Sequence, residues 1–254
     1  MTCEELAHGG SFLHRLDPRI KVIVLTLASF VIATLETKAY AAMALGAGFI
    51  LMASARLPHK AVLWRVVGFN TFCLLMWLTV PFTTPGEPVM HLFGPIHVSS
   101  AGIETVMTVT LKSNAILLLT LALMATSEIT QITHALSHLR CPARAVQLFY
   151  FTWRYIHVIS EEAGRLKDAM KLRGFHPSQG LKNYRYLGYL ISAIFIKSYD
   201  TGIQVQRAME LRGFDGTFWL IHHFTMEKKD MAFLVSGIAF LAWIFIGDHG
   251  VRPF

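Results

Sequence analysis

Charged residues and catalytic motifs are both scarce in this chain. Asp, Glu, Lys and Arg make up 15% of its 254 residues. The three cysteines, at positions 3, 73 and 141, are too far apart for a C-x-x-C motif, so we expect free thiols. The sequence contains no phosphate-binding G-x-x-x-x-G-K-[ST], no H-E-x-x-H and no G-x-S-x-G. We therefore expect no catalytic residue and no enzyme activity in this chain.

Long apolar runs dominate the rest of the sequence. Hydrophobic residues make up 54% of the chain, and its mean hydropathy is +0.47. Five runs predict membrane-spanning helices, so the chain is predicted to be an all-α integral membrane protein. A further stretch, 183–198, is interrupted by Tyr, Arg and Gly, and is either a sixth span or a long interfacial helix. The five runs are 22–35, 39–55, 61–80, 103–125 and 231–247.

The first predicted span is short for a membrane-crossing helix. Run 22–35 is shorter than the roughly 20 residues of a straight span. We therefore expect Arg19, Lys21 and Lys38 at its ends to extend their charged groups toward water. Because acidic residues precede this run and no cleavage pattern follows it, we expect no signal peptide and a protein anchored by its own spans.

Lysine and arginine are distributed unevenly between the connections. Region 127–229 carries fourteen Lys and Arg against eight Asp and Glu, whereas the loop 81–102 has no Lys or Arg. The positive-inside rule then places the N-terminus and region 127–229 in the cytoplasm and the C-terminus outside. The predicted domains are a four-span membrane domain (1–126), a cytoplasmic or interfacial helical region (127–229) and a C-terminal span (230–254). Topology and anionic lipid account for the net charge of +7, so no nucleic-acid partner is expected.

Two near-identical heptapeptides lie 39 residues apart in the polar region. Segments 169–175 and 208–214 differ only at their third residue, which is Lys171 in one and Glu210 in the other. Each combines a strong helix-forming run with a Gly suited to the position just past a helix end. The segments therefore predict two amphipathic helices that end in the same way, each with an Arg beside its last carbonyl groups and able to bind a partner.

Other polar residues carry weaker predictions. Lys112 lies near the middle of the fourth span, where a charge costs about 2.5–3.5 kcal/mol. We expect it to make a polar contact inside the bundle or with a partner; the alternative is that the helix begins later and Lys112 reaches the interface. His134 and His138 have a chelating i, i+4 spacing, but no acidic or Cys ligand accompanies them. We expect these histidines, and the adjacent 222–223 pair, to be solvated or interfacial, and no metal site in this chain. His91 and His97 of the outer loop face either an incoming ion or a partner subunit.

Three motifs together resemble those of a known family. They are L-D-P-R-I-K at 16–21, A-L-x-x-L-R-x-P at 135–142 and the paired A-x-x-x-R-G. This set resembles the transmembrane T component of energy-coupling-factor (ECF) transporters. The H-R-L-D-P-R start and the R-G-F form of both repeats are most similar to the CbiQ family of cobalt transport proteins.

The resemblance implies a non-catalytic scaffold in a prokaryotic cell (inner) membrane, with long cytoplasmic coupling helices. Two ATP-binding cassette (ABC) ATPase subunits would dock on it, and equal repeats suit a homodimer. A separate substrate-binding S component, with or without a small accessory membrane subunit, would take the cargo. ATP and Mg would be bound by the ATPases, and this chain would hold no cofactor. The residues implied in ATPase coupling are Ala169, Arg173, Gly174, Ala208, Arg212 and Gly213, supported by Leu172, Phe175, Leu211 and Phe214.

The transported species follows from the resemblance alone. It implies cobalt and a link to cobalamin biosynthesis, with nickel or a vitamin as the alternative cargo. The competing class is a self-sufficient secondary transporter. That class predicts an inverted repeat and broken helices at the membrane midplane, whereas the repeat here is cytoplasmic and runs in one sense.

Overall fold

The computed structural model describes residues 9, 11–85, 88–93, 96–139, 141–174, 181–214 and 228–250. Within these residues the chain forms nine helices and one pair of strands. In chain order the elements are α1 (Phe12–Arg15), α2 (Pro18–Thr34), α3 (Lys38–Ala55), α4 (His59–Thr83), β1 (Pro88–Phe93), β2 (Ile96–Ser99), α5 (Ser100–Met124), α6 (Ile129–His138), α7 (Ala143–Leu172), α8 (Leu181–Leu211) and α9 (Lys228–Gly250).

Among the described helices, four are long and apolar enough to cross a membrane. They are α3, α4, α5 and α9. Helix α2 contains the first apolar run, but its 17 residues extend over only about 25 Å at 1.5 Å per residue, against a hydrocarbon core of roughly 30 Å. The run 183–198 lies in the first part of α8, which is not one of these four helices. The predicted all-α integral membrane architecture is confirmed.

The connection between α4 and α5 contains a short β-hairpin that the sequence did not predict. Strand β1 pairs antiparallel with β2, and the register changes twice along the pair. His91 and His97 are partners in this register. The backbone therefore brings the two outer-loop histidines opposite each other.

The described contacts divide the chain into two compact units. The first, here called the membrane unit, comprises Met1–Ala135 and Phe224–Phe254. The second, here called the two-helix unit, comprises Leu136–His223 and contains α7 and α8. The C-terminal helix α9 therefore belongs to the same unit as the N-terminal spans.

The core of the membrane unit is formed by small and aliphatic side chains on α2, α3, α5 and α9. Two buried clusters follow one another along α2. Large apolar side chains of α4, such as Trp64 at 79% exposed, point away from the core and suit contact with lipid. The first cluster comprises Leu13, Leu16, Ile20, Val24, Ala55, Leu57, Ala122 and Leu123. The second comprises Ala28, Ile32, Leu35, Ala44, Ala115, Leu119, Leu241 and Ile244.

Candidate functional site

Helices α7 and α8 end in the same backbone conformation. Helix α7 ends at Leu172, and Gly174 follows with φ of +80°; helix α8 ends at Leu211, and Gly213 follows with φ of +81°. A residue with a side chain rarely adopts this left-handed conformation, which explains the glycine at the same place in both repeats. The predicted helix ends are therefore confirmed.

The end of α8 has both hydrogen bonds of the Schellman pattern, and the described part of the α7 end has the first of them. The amide of Gly174 donates to the carbonyl of Lys171, and the amide of Gly213 donates to the carbonyl of Glu210, both at 3.0 Å. At the second end the amide of Phe214 also donates to the carbonyl of Met209 at 3.0 Å. These bonds satisfy carbonyl groups that would otherwise lack partners at a helix terminus. Each end is thus a defined structure and not a frayed terminus.

The side chains at both ends are presented to solvent in the same way. Leu172 and Leu211 are each 90% exposed. Arg173 and Arg212 are exposed too, and neither guanidinium has a hydrogen bond or ion pair within the described part of the chain. An aliphatic side chain of this size gains about 1.5–3 kcal/mol when it is fully buried. Each end therefore combines unburied apolar area with a cation that has no partner among the described residues.

The flanks of the two ends differ in charge. Lys171 donates to the carboxylate of Asp168 at 2.9 Å, whereas Glu210, at the equivalent position, accepts from Gln206 at 3.0 Å. The hydrogen bond from Lys171 holds the pKa of Asp168 below its ordinary value. The ends are therefore alike in backbone and in their Leu and Arg, but a partner meets opposite charges beside them.

The remaining motif residues are less symmetric. Ala169 is half-buried and Ala208 is exposed, while Phe175 lies outside the described residues. Phe214 is half-buried and lines a groove of about 630 Å3 between α7 and α8. Other residues that line this groove are Phe151, Tyr155, Ile159, Val205 and Met209. Phe214 of the second repeat thus lines the same apolar groove as side chains of α7.

An ion pair connects the two long helices. The Lys197 ammonium lies 4.0 Å from the Glu162 carboxylate, which is also 3.4 Å from Arg165. The Glu162 side chain is 28% exposed, against 72% for the neighbouring Glu161, which also lies near Arg165. Glu162 is therefore the more buried of the two carboxylates and lies near both cations. The pair of Glu162 and Lys197 connects α7 and α8 at one point along their length, and at this distance and exposure it contributes at most about 1 kcal/mol.

Lys112 lies inside the membrane unit and contacts α2. Its ammonium donates to the carbonyl oxygen of Ala33 at 3.2 Å, next to the last residue of α2. Carbonyl groups at a helix C-terminus are the negative end of the helix dipole, so a cation is favoured there. The lysine therefore makes a polar contact within the bundle.

The paired histidines of α6 do not share one environment. His134 is only 7% exposed, whereas His138 is exposed. The expectation that both are solvated or interfacial is therefore wrong for His134, because α6 turns that side toward the core. Among the described residues there is no group of three or more His, Cys, Asp or Glu side chains that could hold a metal ion. The 222–223 pair lies outside the described residues.

Four buried charged residues of the membrane unit, Asp17, Lys21, Asp230 and Asp248, were not predicted as polar contacts. Lys21 is completely buried, so the expectation that it extends toward water is wrong. Asp230 and Asp248, at the two ends of α9, are 5% and 2% exposed. Asp248 accepts from the amides of Glu36 and Thr37 at 3.0 and 2.9 Å, at the start of α3. Asp230 and Asp248 could have been singled out from the sequence, because each is an acidic residue at one end of the apolar run 231–247.

Comparison with known proteins agrees with these features. A family model described as "Cobalt transport protein" matches residues 9–222, which include both helix ends. The energy-coupling factor transporter transmembrane protein EcfT of Leuconostoc gelidum subsp. gasicomitatum is 27% identical over 219 residues, 81% of each chain. The EcfT of Bacillus subtilis is 23% identical over 250 residues, 93% of this chain and 94% of that protein.

A third relative is larger. A putative ABC transporter ATP-binding protein of Bifidobacterium longum is 24% identical over 249 residues, which are 92% of this chain but 32% of that protein. The membrane helices, the paired helix ends and these matches define a transmembrane component of an energy-coupling-factor transporter. The chain belongs to the CbiQ family of cobalt transport proteins, and the resemblance identified from its motifs is confirmed.

Proposed function

We propose that this chain couples two cytoplasmic ABC ATPase subunits to a separate substrate-binding membrane S component in an ATP-driven importer. The observation that carries the proposal is the pair of matching helix ends. Leu172 and Leu211 are equally exposed, and Gly174 and Gly213 share one conformation. Two equal surfaces on one chain suit two equal partners, so a homodimer of ATPases is the expected arrangement.

The chemistry of the ends indicates how an ATPase would bind them. Each exposed leucine supplies apolar area for a pocket, and the neighbouring Arg173 or Arg212 supplies five fixed donors for carboxylates or carbonyl groups. Ala169 and Ala208 allow the partner to approach the last helical turn closely. The Bifidobacterium longum relative supports this assignment, since a segment similar to this chain occurs within a protein named for ATP binding.

In the proposed importer each subunit has a different role. ATP and Mg would be bound and used by the ATPases, so this chain would be a non-catalytic scaffold. The two helix ends and the N-terminus would face the cytoplasm, where ATP is available, as the basic region 127–229 also indicates. The family description supports cobalt as the cargo. Nickel or a vitamin is the alternative, because the names of the EcfT relatives carry no substrate.

Co-purification tests the docking proposal. The full chain would be expressed with the ATPase and S subunits of its transporter, as wild type, Arg173→Ala, Arg212→Ala and the double variant. Removing one partner of a buried charge contact costs about 2–5 kcal/mol, which lowers affinity by a factor of roughly 30 or more. Each single variant should therefore retain about half of the ATPase, and the double variant should lose both copies and cobalt uptake. Lys at these positions should restore little, since it lacks the planar fork.

A matched control is available on the same helix. Arg207→Ala removes an exposed arginine of α8 five residues before Arg212, outside the repeat. This variant should retain the full complement of ATPase. If the Arg173→Ala, Arg212→Ala double variant also retains it and transports normally, the helix ends are not the coupling contacts.

A further inference from the structure

The two-helix unit has no buried core of its own. None of the described side chains of α7 and α8 is buried. On α8, Ile194 and Ser198 are half-buried and line a small cleft together with Val158 and Ile159 of α7. This side of α8 is turned toward α7. Large apolar side chains on the other sides of α8 therefore need cover from outside the unit.

The uncovered apolar side chains are concentrated in the first half of α8. Ile191, Phe195 and Tyr199 are spaced by four residues, so they form one stripe along the helix, here called the α8 stripe. Their exposed fractions are 65%, 76% and 66%, so α7 covers none of them. Tyr189 and Ile196 are exposed as well. A contiguous apolar surface of this kind indicates a binding surface.

The charges around the α8 stripe are all positive in sequence. Segment 181–199 contains three Lys and Arg and no Asp or Glu, whereas 200–211 contains two acidic residues and one Arg. Arg185 is exposed, and the Lys197 side chain remains 58% exposed although its ammonium lies 4.0 Å from the Glu162 carboxylate. Apolar area flanked by cations alone is complementary to a surface that is apolar inside and anionic outside, as a bilayer with anionic lipids is.

The length and the ends of the apolar run also indicate a bilayer surface. Residues 186–196 include no charged residue and extend over about 16 Å at 1.5 Å per residue, against a hydrocarbon core of roughly 30 Å. The run is thus too short to cross a membrane, but it suits a helix that lies in the membrane surface. Tyr186 near its start and Tyr199 after its end are side chains that favour the headgroup level.

We propose that the first half of α8 lies in the surface of the bilayer, with the α8 stripe against lipid acyl chains and with Arg185 and Lys197 beside anionic headgroups. The second half of α8, which ends beside Arg212, stays in water. Of the two interpretations of 183–198, the interfacial helix is therefore the one that we infer. This contact requires neither the ATPases nor an S component, so it is tested on the full chain alone.

Collision measurements by electron paramagnetic resonance test the lipid contact. The full chain, with its three cysteines replaced, would be placed in nanodiscs of phosphatidylcholine and phosphatidylglycerol. A single spin label would occupy each position of the α8 stripe in turn, as Ile191→Cys, Phe195→Cys or Tyr199→Cys. Oxygen dissolves among acyl chains, whereas the nickel chelate Ni-EDDA stays in water. We expect more collisions with oxygen than with Ni-EDDA at all three positions, and the reverse order at Gln204→Cys, an exposed position in the second half of α8.

Two variants with the same change in net charge test the apolar contact itself. Burial of two large apolar side chains favours the inserted state by roughly 100-fold or more. The variant Ile191→Asp, Phe195→Asp should therefore release the helix, so that a label at Tyr199→Cys collides mainly with Ni-EDDA. Both substituted side chains are exposed within the two-helix unit, so its own contacts should persist. The control Gln204→Asp, Arg207→Gln alters exposed positions outside the α8 stripe and should leave this label in lipid.

Four results would overturn the inference. More collisions with Ni-EDDA than with oxygen at the α8 stripe would place it in water. Exclusion of both reagents would show that protein covers it, either the membrane unit of the same chain or a second copy. A label at Tyr199→Cys that stays in lipid in the Ile191→Asp, Phe195→Asp variant, or that is released equally in the control, would show that the apolar side chains do not hold the helix there. None of these results depends on whether Arg173 and Arg212 bind an ATPase, so the two proposals fail separately.

Discussion

The glycines that end α7 and α8 allow the backbone of each helix end to be changed without altering its side chains. Gly174 and Gly213 have φ of +80° and +81°, and a Cβ added to either would meet no atom within 4 Å in the described structure. A change to Ala therefore causes no clash, and its whole cost is that of holding an L-residue in the left-handed region. That cost is roughly 1–2 kcal/mol for each end.

Two outcomes follow if an ATPase binds this helix-end conformation. In the double variant Gly174→Ala, Gly213→Ala, the affinity of each end for ATPase should fall about 5- to 30-fold, since 1.4 kcal/mol corresponds to a factor of ten. Asn at the same positions should reduce affinity less, because Asn tolerates the left-handed region better than Ala. The measurement is a titration of the purified ATPase onto the full chain in nanodiscs.

The same two helices contain the matched control. Gly164 of α7 and Gly202 of α8 lie in helical backbone, and a Cβ at either also meets no atom within 4 Å. Replacing these two by Ala should stabilise the helices by about 0.5–1 kcal/mol each and leave ATPase binding unchanged. The reasoning would be refuted if the Gly174→Ala, Gly213→Ala variant binds ATPase like wild type, or if the mid-helix control loses as much affinity.

Three further predictions concern the membrane unit, the cargo and the topology. Asp248→Ala leaves two amides at the start of α3 without their charged acceptor, so it should destabilise the protein by about 2–4 kcal/mol and lower its thermal midpoint in detergent, while Asp168→Ala, at an exposed pair, should leave the midpoint nearly unchanged. Calorimetric titration of the isolated chain with cobalt should be flat; tight binding lost on replacing His134 and His138 would show a real site. A cysteine introduced at Ser178 should react only with a reagent on the cytoplasmic side of sealed cells, and labelling from outside would contradict the topology.

The helix ends were predictable because their signals are local. A helix-forming run followed by Gly specifies where a helix stops within a few residues, without reference to the rest of the chain. The structure accordingly ends α7 at Leu172 and α8 at Leu211, one residue before the arginine of each repeat. The apolar runs are equally local, and four of the five predicted spans lie in the helices long and apolar enough to cross a membrane.

The buried charges were not predictable in this way, because their partners are remote in sequence. Lys21 binds residues 105 and 106 positions away, and the amide of Asp17 binds a carboxylate 213 positions away. From sequence alone, a lysine beside a short apolar run is most simply assigned to the water interface. Only the meeting of α2, α5 and α9 converts Lys21 into a buried donor.

Charged side chains lie at helix ends in both units, but Arg173 and Arg212 of the two-helix unit have no partner among the described residues. Lys21 binds the carbonyl of Thr126 just past the end of α5, and Lys112 binds a carbonyl in the last turn of α2. Asp230 and Asp248 accept amides that precede the starts of α2 and α3, so these four charges complete helix ends within the membrane unit. Arg173 and Arg212 also lie at helix C-termini, but the structure leaves them exposed beside exposed leucines. Within the described structure these two arginines complete no helix end of their own chain, and their place beside the exposed leucines supports the proposal that they meet partner subunits.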